Sequence, residues 1–263
     1  MSLPIINDFS DNNISVELDD AVVIFRKKNN IFNLMTDLDK ADHYFKLLSA
    51  IEHAPEIKVV LSIFEPDSFN DDTYAQYISS LCGENIELKG LDGNWKFREK
   101  IPRLRQMYFQ QDSIKQRVRS KKINIDCLQG TVVTPFFGET LAADFRFVTE
   151  DMQFSLSHKK YGLHPSGGLS FFLPRYVGES KAIDLLLNTD VITAEDAKGL
   201  GLVTDIINTE NFVSECILKA KEMSQINMTV IKSTKCLTYR FQKELEDYFY
   251  AESQMMDLGC ASS

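Results

Sequence analysis

The chain has 263 residues, of which 44% are hydrophobic and 25% are charged, and its formal net charge is −9. These values are ordinary for a globular protein, and the length suits one large domain with a substantial core. The negative charge argues against nonspecific binding to nucleic acid or to an anionic membrane surface.

Cysteine usage and hydropathy indicate the cellular compartment of the protein. The five cysteines are scattered and form no CxxC pair, which argues against a disulfide framework and a zinc site and favours a reducing compartment. The first residues, MSLPIINDFSDNN, lack the basic and apolar regions of a secretory signal. No apolar run approaches eighteen residues, so the sequence predicts no membrane-spanning segment. We therefore expect a cytoplasmic protein without a metal.

The N-terminal part of the chain predicts a β-hairpin followed by a βαβ unit. Alternating residues in SVELDDAVVIFRK predict two strands with a turn at Leu18–Asp20. Apolar residues recur on one helical face over Thr36–His53, and the apolar run 57–64 indicates a strand buried on both faces. The polar residues from 65 onward are predicted to be irregular until a helix rich in Arg and Gln spans Ile101–Ser120.

The stretch from Ile123 to Ile207 carries the most specific pattern. A β-rich run ends at a glycine turn and leads into a short helix, PFFGETLAA, which stops at Asp144. A second strand, FRFVTEDMQFS, precedes the loop GLHPSGG, an amphipathic helix and the segment ITAEDAKGLGLVTDII. From Thr193 onward the chain is predicted to be helical, ending in one long helix.

This order of elements resembles the crotonase superfamily, the enoyl-CoA hydratases and isomerases, most specifically in GLHPSGGLSFFLPRYVG and ITAEDAKGLGLV. The resemblance implies an α/β fold, with a crotonase-like ββα spiral core over residues 1–192 and a C-terminal helical oligomerisation region over residues 193–263. It implies a homotrimer or a dimer of trimers. It also implies an acyl thioester substrate, carried by CoA or by an acyl carrier protein, with no cofactor and with neither nucleic acid nor membrane as partner.

In this family two backbone amides form an oxyanion hole that stabilises an enolate. The first amide normally lies in an F-x-A-G-x-D loop after a central strand, but here Phe69 is followed by Asn70, Asp71 and Asp72. Two carboxylates beside a developing negative charge are unfavourable unless they point away. The alternative interpretation of this loop is an ordinary solvated turn.

The second amide lies where the family commonly has three glycines, which a gapless alignment places on Thr134, Pro135 and Phe136. The middle position normally donates, and proline has no N–H. Thr134 and Pro135 instead predict a helix start, with threonine as N-cap and proline at the first helical position. The Phe136 amide could substitute only after a shift of the loop, so the resemblance implies that at least half of the usual oxyanion hole is missing.

The two glutamates of the hydratases are also displaced. The first falls on Gly138, and the adjacent Glu139 replaces it only if the helix shifts by one residue, because one residue rotates a side chain by about 100°. The alternative for Glu139 is a surface or ion-paired side chain. The second falls on His158, our candidate acid/base near neutral pH, for which the alternative is a hydrogen-bonded histidine in a loop.

Other polar residues are expected to have structural or substrate-binding roles and not catalytic ones. His164 is expected to shape the GLHPSGG loop or to lie at the pocket edge, and Asp144 is expected to be structural. Basic residues at 117–122 and 159–160 are candidates for binding CoA phosphates, with a solvated charged face as the alternative.

Three functions therefore remain open. The first is a divergent enzyme, an isomerase, a decarboxylating lyase or a hydrolase, that acts through an enolate-type intermediate and not by simple hydration. The second is a catalytically inactive crotonase-fold binding protein, and the third is a partner subunit in a mixed oligomer. An open apolar pocket with His158 at its wall would favour the enzyme, whereas side chains filling that pocket would favour the others.

Overall fold

The computed structural model describes residues 10, 12–29, 31–66, 68–83 and 100–261. Their main feature is a six-stranded sheet in the order β1-β2-β3-β4-β6-β9, in which β1 and β2 form an antiparallel hairpin and all other neighbours are parallel. The strands are β1 (Ile14–Asp19), β2 (Val22–Lys27), β3 (Val59–Phe64), β4 (Ile123–Leu128), β6 (Phe145–Thr149) and β9 (Asp205–Ile207). The predicted hairpin, buried strand and parallel pairing are confirmed.

A smaller sheet stands beside the large one and carries part of the site. Its order is β5-β7-β8, with one parallel and one antiparallel pair. Its strands are β5 (Thr131–Val133), β7 (Gln153–Ser155) and β8 (Val191–Thr193). The prediction of one continuous strand over FRFVTEDMQFS is wrong, because the exposed Glu150 and Asp151 form a turn that carries the chain from one sheet to the other.

Helices cover both faces of the large sheet. They are α1 (Phe32–Thr36), α2 (Leu38–His53), α3 (Asp71–Cys82), α4 (Lys100–Arg119), α5 (Thr134–Thr140), α6 (Leu169–Val177), α7 (Glu179–Asn188), α8 (Ala194–Gly199), α9 (Phe212–Ser224), α10 (Met228–Thr238) and α11 (Gln242–Ala261). Short 3-10 helices occupy Ser157–Tyr161 and Thr209–Asn211. None of the helices in the described ranges combines the length and apolar character that crossing a membrane requires.

The central strand β3 shows why the sheet is buried on both sides. Val59, Leu61 and Ile63 belong to an apolar cluster that α9 closes, whereas Val60 and Phe64 face the larger cluster on the opposite side. This alternation across a pleated strand places an apolar residue on each face at nearly every position.

Several predicted boundaries are corrected by capping and anchoring contacts. The helix predicted from Thr36 begins at Leu38. The Asp37 carboxylate accepts hydrogen bonds from the backbone amides of Asp39 and Lys40 and so acts as its N-cap. Residues 71–82, predicted to be irregular, form α3, while residues 84–99 lie outside the described residues. The predicted long C-terminal helix is divided into α10 and α11 around Tyr239.

Asp144 explains where that division falls. Its carboxylate accepts hydrogen bonds from Lys235 Nζ at 2.5 Å, from the Tyr239 hydroxyl at 2.6 Å and from the Asn124 amide at 2.7 Å. It therefore ties α10 to the start of β4, which supports the structural role expected for it. The strand β9, within the region predicted to be helical, completes the large sheet, and the boundary at residue 192 stays a prediction.

Candidate functional site

The short helix α5, which carries five of the predicted site residues, is buried along its whole length and follows β5 without a loop. Thr134 is its first residue and not its N-cap, which is Val133. The predicted cap does not form because the Thr134 hydroxyl is used elsewhere: it donates to the Ser155 carbonyl at 3.1 Å and lies 3.1 Å from His158 Nδ1.

His158 lies in the 3-10 helix after β7 and is only 3% exposed. Besides Thr134, it makes a hydrogen bond with the Leu186 backbone. Burial, together with the Lys159 charge, lowers the pKa of His158 to about 4. The near-neutral pKa expected from the sequence is thus corrected: the ring is neutral at pH 7.

The loop after β3 approaches the same place, although it forms the start of a helix and not a solvated turn. Asn70 is the N-cap of α3 and accepts a hydrogen bond from the Thr73 amide at 2.9 Å. Asp71 accepts a hydrogen bond from Ser155 Oγ at 2.9 Å and lies 3.7 Å from Lys160 Nζ. Ser155 therefore joins Asp71 to the Thr134–His158 pair, through its side chain on one side and its carbonyl on the other.

The glycines of the GLHPSGG loop pack directly against α5. A Cβ atom added at Gly138 would lie 2.6 Å from the Leu169 amide nitrogen and closer still to the Gly167 carbonyl oxygen. One added at Gly167 would lie 2.9 Å from the Pro135 carbonyl carbon. Gly138, on which the gapless alignment places the first glutamate of the hydratases, is therefore packed against backbone, and no side chain fits there in this conformation.

Glu139, the neighbouring candidate, takes part in a buried charge cluster. Its Oε1 accepts a hydrogen bond from Ser113 at 3.1 Å and lies 3.7 Å from Arg117 and 3.9 Å from Lys27. Arg117 also pairs with Asp126 at 2.7 Å. Burial lowers the pKa of Lys27 to about 8, against the raising effect of Glu139. The described contacts of Glu139 and His158 have no residue in common, so the structure does not join the two predicted catalytic residues.

Aromatic side chains fill the space beside Phe136. The Phe136 ring stacks on Phe69 with centroids 3.8 Å apart and meets Phe32 edge-on at 5.2 Å. Phe32 in turn stacks on Tyr77 at 4.3 Å. A cavity of about 200 Å³ lies elsewhere, between α2, α4 and the sheet. The buried His158 and this aromatic cluster do not match the open pocket that would have favoured the enzyme.

Several of the basic residues proposed for CoA phosphates have other partners. Arg117 is buried in the charge cluster, and the Lys122 ammonium donates to the Ala54 and Ile57 carbonyls at 2.6 and 2.8 Å. Lys159 donates to the Thr189 carbonyl at 2.7 Å. The solvated-face interpretation is therefore wrong for Arg117 and Lys122, which are held inside the fold.

A polar stripe that was not predicted from the sequence lies along the inward face of α4. Arg103, Gln106 and Gln110 are buried and linked side chain to side chain, and Gln110 Nε2 donates to the Pro135 carbonyl at 3.1 Å. Their spacing of three and four residues was a detectable signal, because it places them on one helical face. His164 lies half-buried near this stripe, and burial with the Arg103 charge lowers its pKa to about 4.

Comparison with known proteins gives the family context. Residues 102–261 match the model of a family described as enoyl-CoA hydratase/isomerase. A probable peroxisomal enoyl-CoA hydratase 1 from Arabidopsis thaliana is 29% identical over 52% of this chain and 49% of its own length. Ethylmalonyl-CoA decarboxylase from Bos taurus is 28% identical over 44% of this chain and 38% of its own. The chain thus spans about half or less of these curated relatives.

Solved structures extend the likeness to nearly the whole chain. An enoyl-CoA hydratase from Bacillus halodurans superposes with a TM-score of 0.78 at 17% identity, covering 95% of this chain and 96% of that one. Pseudomonas aeruginosa DspI superposes with a TM-score of 0.70 at 18% identity, covering 95% and 89%. At such low identity these likenesses establish the fold alone.

Proposed function

Since the chain belongs to the enoyl-CoA hydratase/isomerase family and has its crotonase-type α/β fold, we propose that it acts on an acyl thioester through an enolate-type intermediate. The reaction is an isomerisation, a decarboxylation or a hydrolysis, and not the hydration that two glutamates perform. The thioester is carried by CoA or by an acyl carrier protein, and the reaction uses no cofactor.

The observation that carries this proposal is the contact of the His158 ring with Thr134 at the start of α5, although that ring is enclosed and does not line an open pocket among the described residues. A histidine that is neutral at pH 7 can remove the proton next to a thioester carbonyl, and one positioned base suffices for that step. In this proposal the Phe136 amide, the first N–H after Pro135, donates to the oxyanion, and Glu139 tunes the field through its charge cluster.

Exchange of the substrate's α-proton tests the enolate directly. The protein is incubated in deuterated buffer with butyryl-CoA, and with butyryl carried on an acyl carrier protein, and deuterium incorporation is followed by mass spectrometry. We expect exchange with one of the two thioesters and a loss of roughly 10²–10⁴-fold in His158→Gln. The exposed His53 provides the matched control, and His53→Gln should exchange at the wild-type rate. Absence of exchange with both carriers would refute the proposed reaction.

A catalytically inactive binding or partner protein is the second candidate, favoured by the close backbone packing of Gly138 and Gly167 and by the aromatic cluster. Replacement Pro135→Gly supplies the amide that the family position normally provides. If the fold binds thioesters without catalysis, wild type is stabilised by acyl-CoA without proton exchange, and Pro135→Gly binds more tightly. A ligand at a hundred times its dissociation constant stabilises a protein by about 2.7 kcal/mol, which thermal denaturation resolves readily.

Assembly and location complete the proposal. The trimer or dimer of trimers implied by the resemblance is supported by large apolar side chains that the last two helices expose, among them Leu237 and Tyr250. Light scattering after gel filtration measures the mass of the assembly directly. The cytoplasmic location expected from the sequence stays a prediction.

A further inference from the structure

Arg103, near the start of α4, is a buried cation that makes no ion pair with the residues that the structure describes. It is 2% exposed, and its guanidinium bonds to neutral groups, the Gln106 side-chain oxygen and the Tyr74 and Tyr77 hydroxyls. Its Nε has no hydrogen-bond partner. In the described part of the chain, no carboxylate lies within ion-pair distance of Arg103.

Two other buried arginines have partners that compensate their charge or their N–H groups. Arg117 is paired with Asp126 at 2.7 Å and lies 3.7 Å from Glu139. Arg146 donates to the carbonyls of Leu202 and Ala143 at 2.5 and 2.6 Å, so it closes an open helix end. A buried guanidinium is costly unless its charge and its N–H groups are compensated. Arg103 has neither a counter-charge among the described residues nor a partner for its Nε.

Further unpartnered polar atoms come from the GLHPSGG loop. His164 Nε2 and Ser166 Oγ are buried without a hydrogen-bond partner, and His164 is close enough to Arg103 to feel its charge. Glu252 also feels that charge, but its oxygens accept hydrogen bonds from the Gly168 amide at 3.2 Å and the Tyr248 hydroxyl at 3.0 Å. Arg103 Nε and the Ser166 hydroxyl therefore present unused donors, while the oxygens of Glu252 are already engaged.

The polar stripe connects this place to the proposed reaction site. Gln106 and Gln110 link Arg103 to the Pro135 carbonyl at the start of α5. Arg103 and Gln110 are seven residues apart on one helix, which corresponds to about 10 Å along its axis. The long Arg103 side chain spans part of that distance, so the gap left for a ligand is shorter.

We propose that Arg103, assisted by the Ser166 hydroxyl, binds a carboxylate at the far end of the acyl group, so that the substrate is the monothioester of a short dicarboxylic acid. This inference rests on the proposed thioester function and specifies its substrate class. A planar guanidinium with a free Nε offers the paired N–H geometry that a carboxylate accepts in two parallel hydrogen bonds. The bound carboxylate supplies the counter-charge that the protein does not.

Esters matched in chain length separate this inference from the function on which it rests. Binding of glutaryl-CoA and pentanoyl-CoA, and of free glutarate, is measured by calorimetry on wild type and on Arg103→Met. We expect wild type to bind glutaryl-CoA at least about tenfold more tightly than pentanoyl-CoA, and Arg103→Met to abolish that preference while keeping its affinity for pentanoyl-CoA. Arg105→Met, in the same helix and half-exposed, should keep the preference.

Each other outcome has a definite meaning. Equal affinity of wild type for the two esters would overturn the carboxylate site and leave the thioester function standing. Binding of glutarate but of neither ester, lost in Arg103→Met, would keep the carboxylate site and overturn CoA as the carrier of the thioester. Absence of all binding would overturn both. The melting temperature without ligand distinguishes a ligand-binding role from a purely structural one. If Arg103 only stabilises the fold, Arg103→Met should melt clearly below wild type. If Arg103 is an uncompensated ligand-binding residue, Arg103→Met should have an unchanged or raised melting temperature.

Discussion

Replacing Gly138 by alanine tests whether backbone fills the place of the first hydratase glutamate. The new methyl group would lie 2.6 Å from the Leu169 nitrogen and closer to the Gly167 oxygen, and both neighbours are backbone atoms that cannot rotate away. Overpacking of this kind costs typically 1–3 kcal/mol, which exceeds the gain of about 1 kcal/mol that alanine has over glycine in a helix. We therefore expect a net loss of up to about 2 kcal/mol.

Thermal and urea denaturation followed by circular dichroism measure this loss. For a chain of this size, 1 kcal/mol shifts the melting temperature by roughly 2–4 °C, so Gly138→Ala should melt several degrees lower. Gly199 provides the matched control: it is exposed, lies in a helix, and a Cβ added there meets nothing within 4 Å. Gly199→Ala should be neutral or stabilising. If Gly138→Ala were as stable as Gly199→Ala, the inferred contact would be absent and a side chain could occupy the glutamate position.

Three further predictions concern charge. Burial lowers the pKa of His158 from 6.5 to about 4, so the unfolded chain binds the proton first as pH falls. The free energy of unfolding should therefore be full above pH 6.5 and fall by roughly 3 kcal/mol towards pH 4. Replacement His158→Gln should flatten this decline, which urea titrations at pH 7 and pH 5 measure. Glu139→Gln removes a counter-charge from a buried cluster and should lower the free energy of unfolding by roughly 3–5 kcal/mol. The control Glu246→Gln, in an exposed pair, should change it by less than about 1 kcal/mol. Equal effects of the two substitutions would contradict the buried charge cluster. Asp144→Asn should weaken the anchoring of α10, seen as faster hydrogen exchange over residues 228–238; unchanged exchange there would show that packing alone holds the helix.

The features predicted correctly from the sequence are those that depend on neighbours along the chain. Alternating apolar residues over 14–27 and the continuous apolar run of β3 required only the pleat of a strand. The helix α3 was missed because Asp71 and Asp72 suggested a solvated turn. Asn70 as N-cap, followed by the spacing of Tyr74, Tyr77, Ile78 and Leu81, was nevertheless a valid helical signal.

The site was less predictable because its chemistry depends on contacts between distant segments. Arg117 belongs to the interior only because Asp126 and Glu139 come from later elements to meet it. His158 has the right residue type for proton transfer near pH 7, but its pKa depends on how completely β7 and its neighbours enclose it. Pro135 was the exception, since the lack of an N–H is a property of the residue itself.

The two edges of the large sheet limit how copies of this protein can meet. At one edge β9 offers only three residues, and at the other the Ser10–Ser15 bridge and the charged Glu17 interrupt the free side of β1. An incoming strand would find too few consecutive backbone partners at either end to extend the sheet. Growth by strand addition, the route to fibres and swapped hairpins, is therefore discouraged in the part of the chain described, and helix surfaces are left as the means of association.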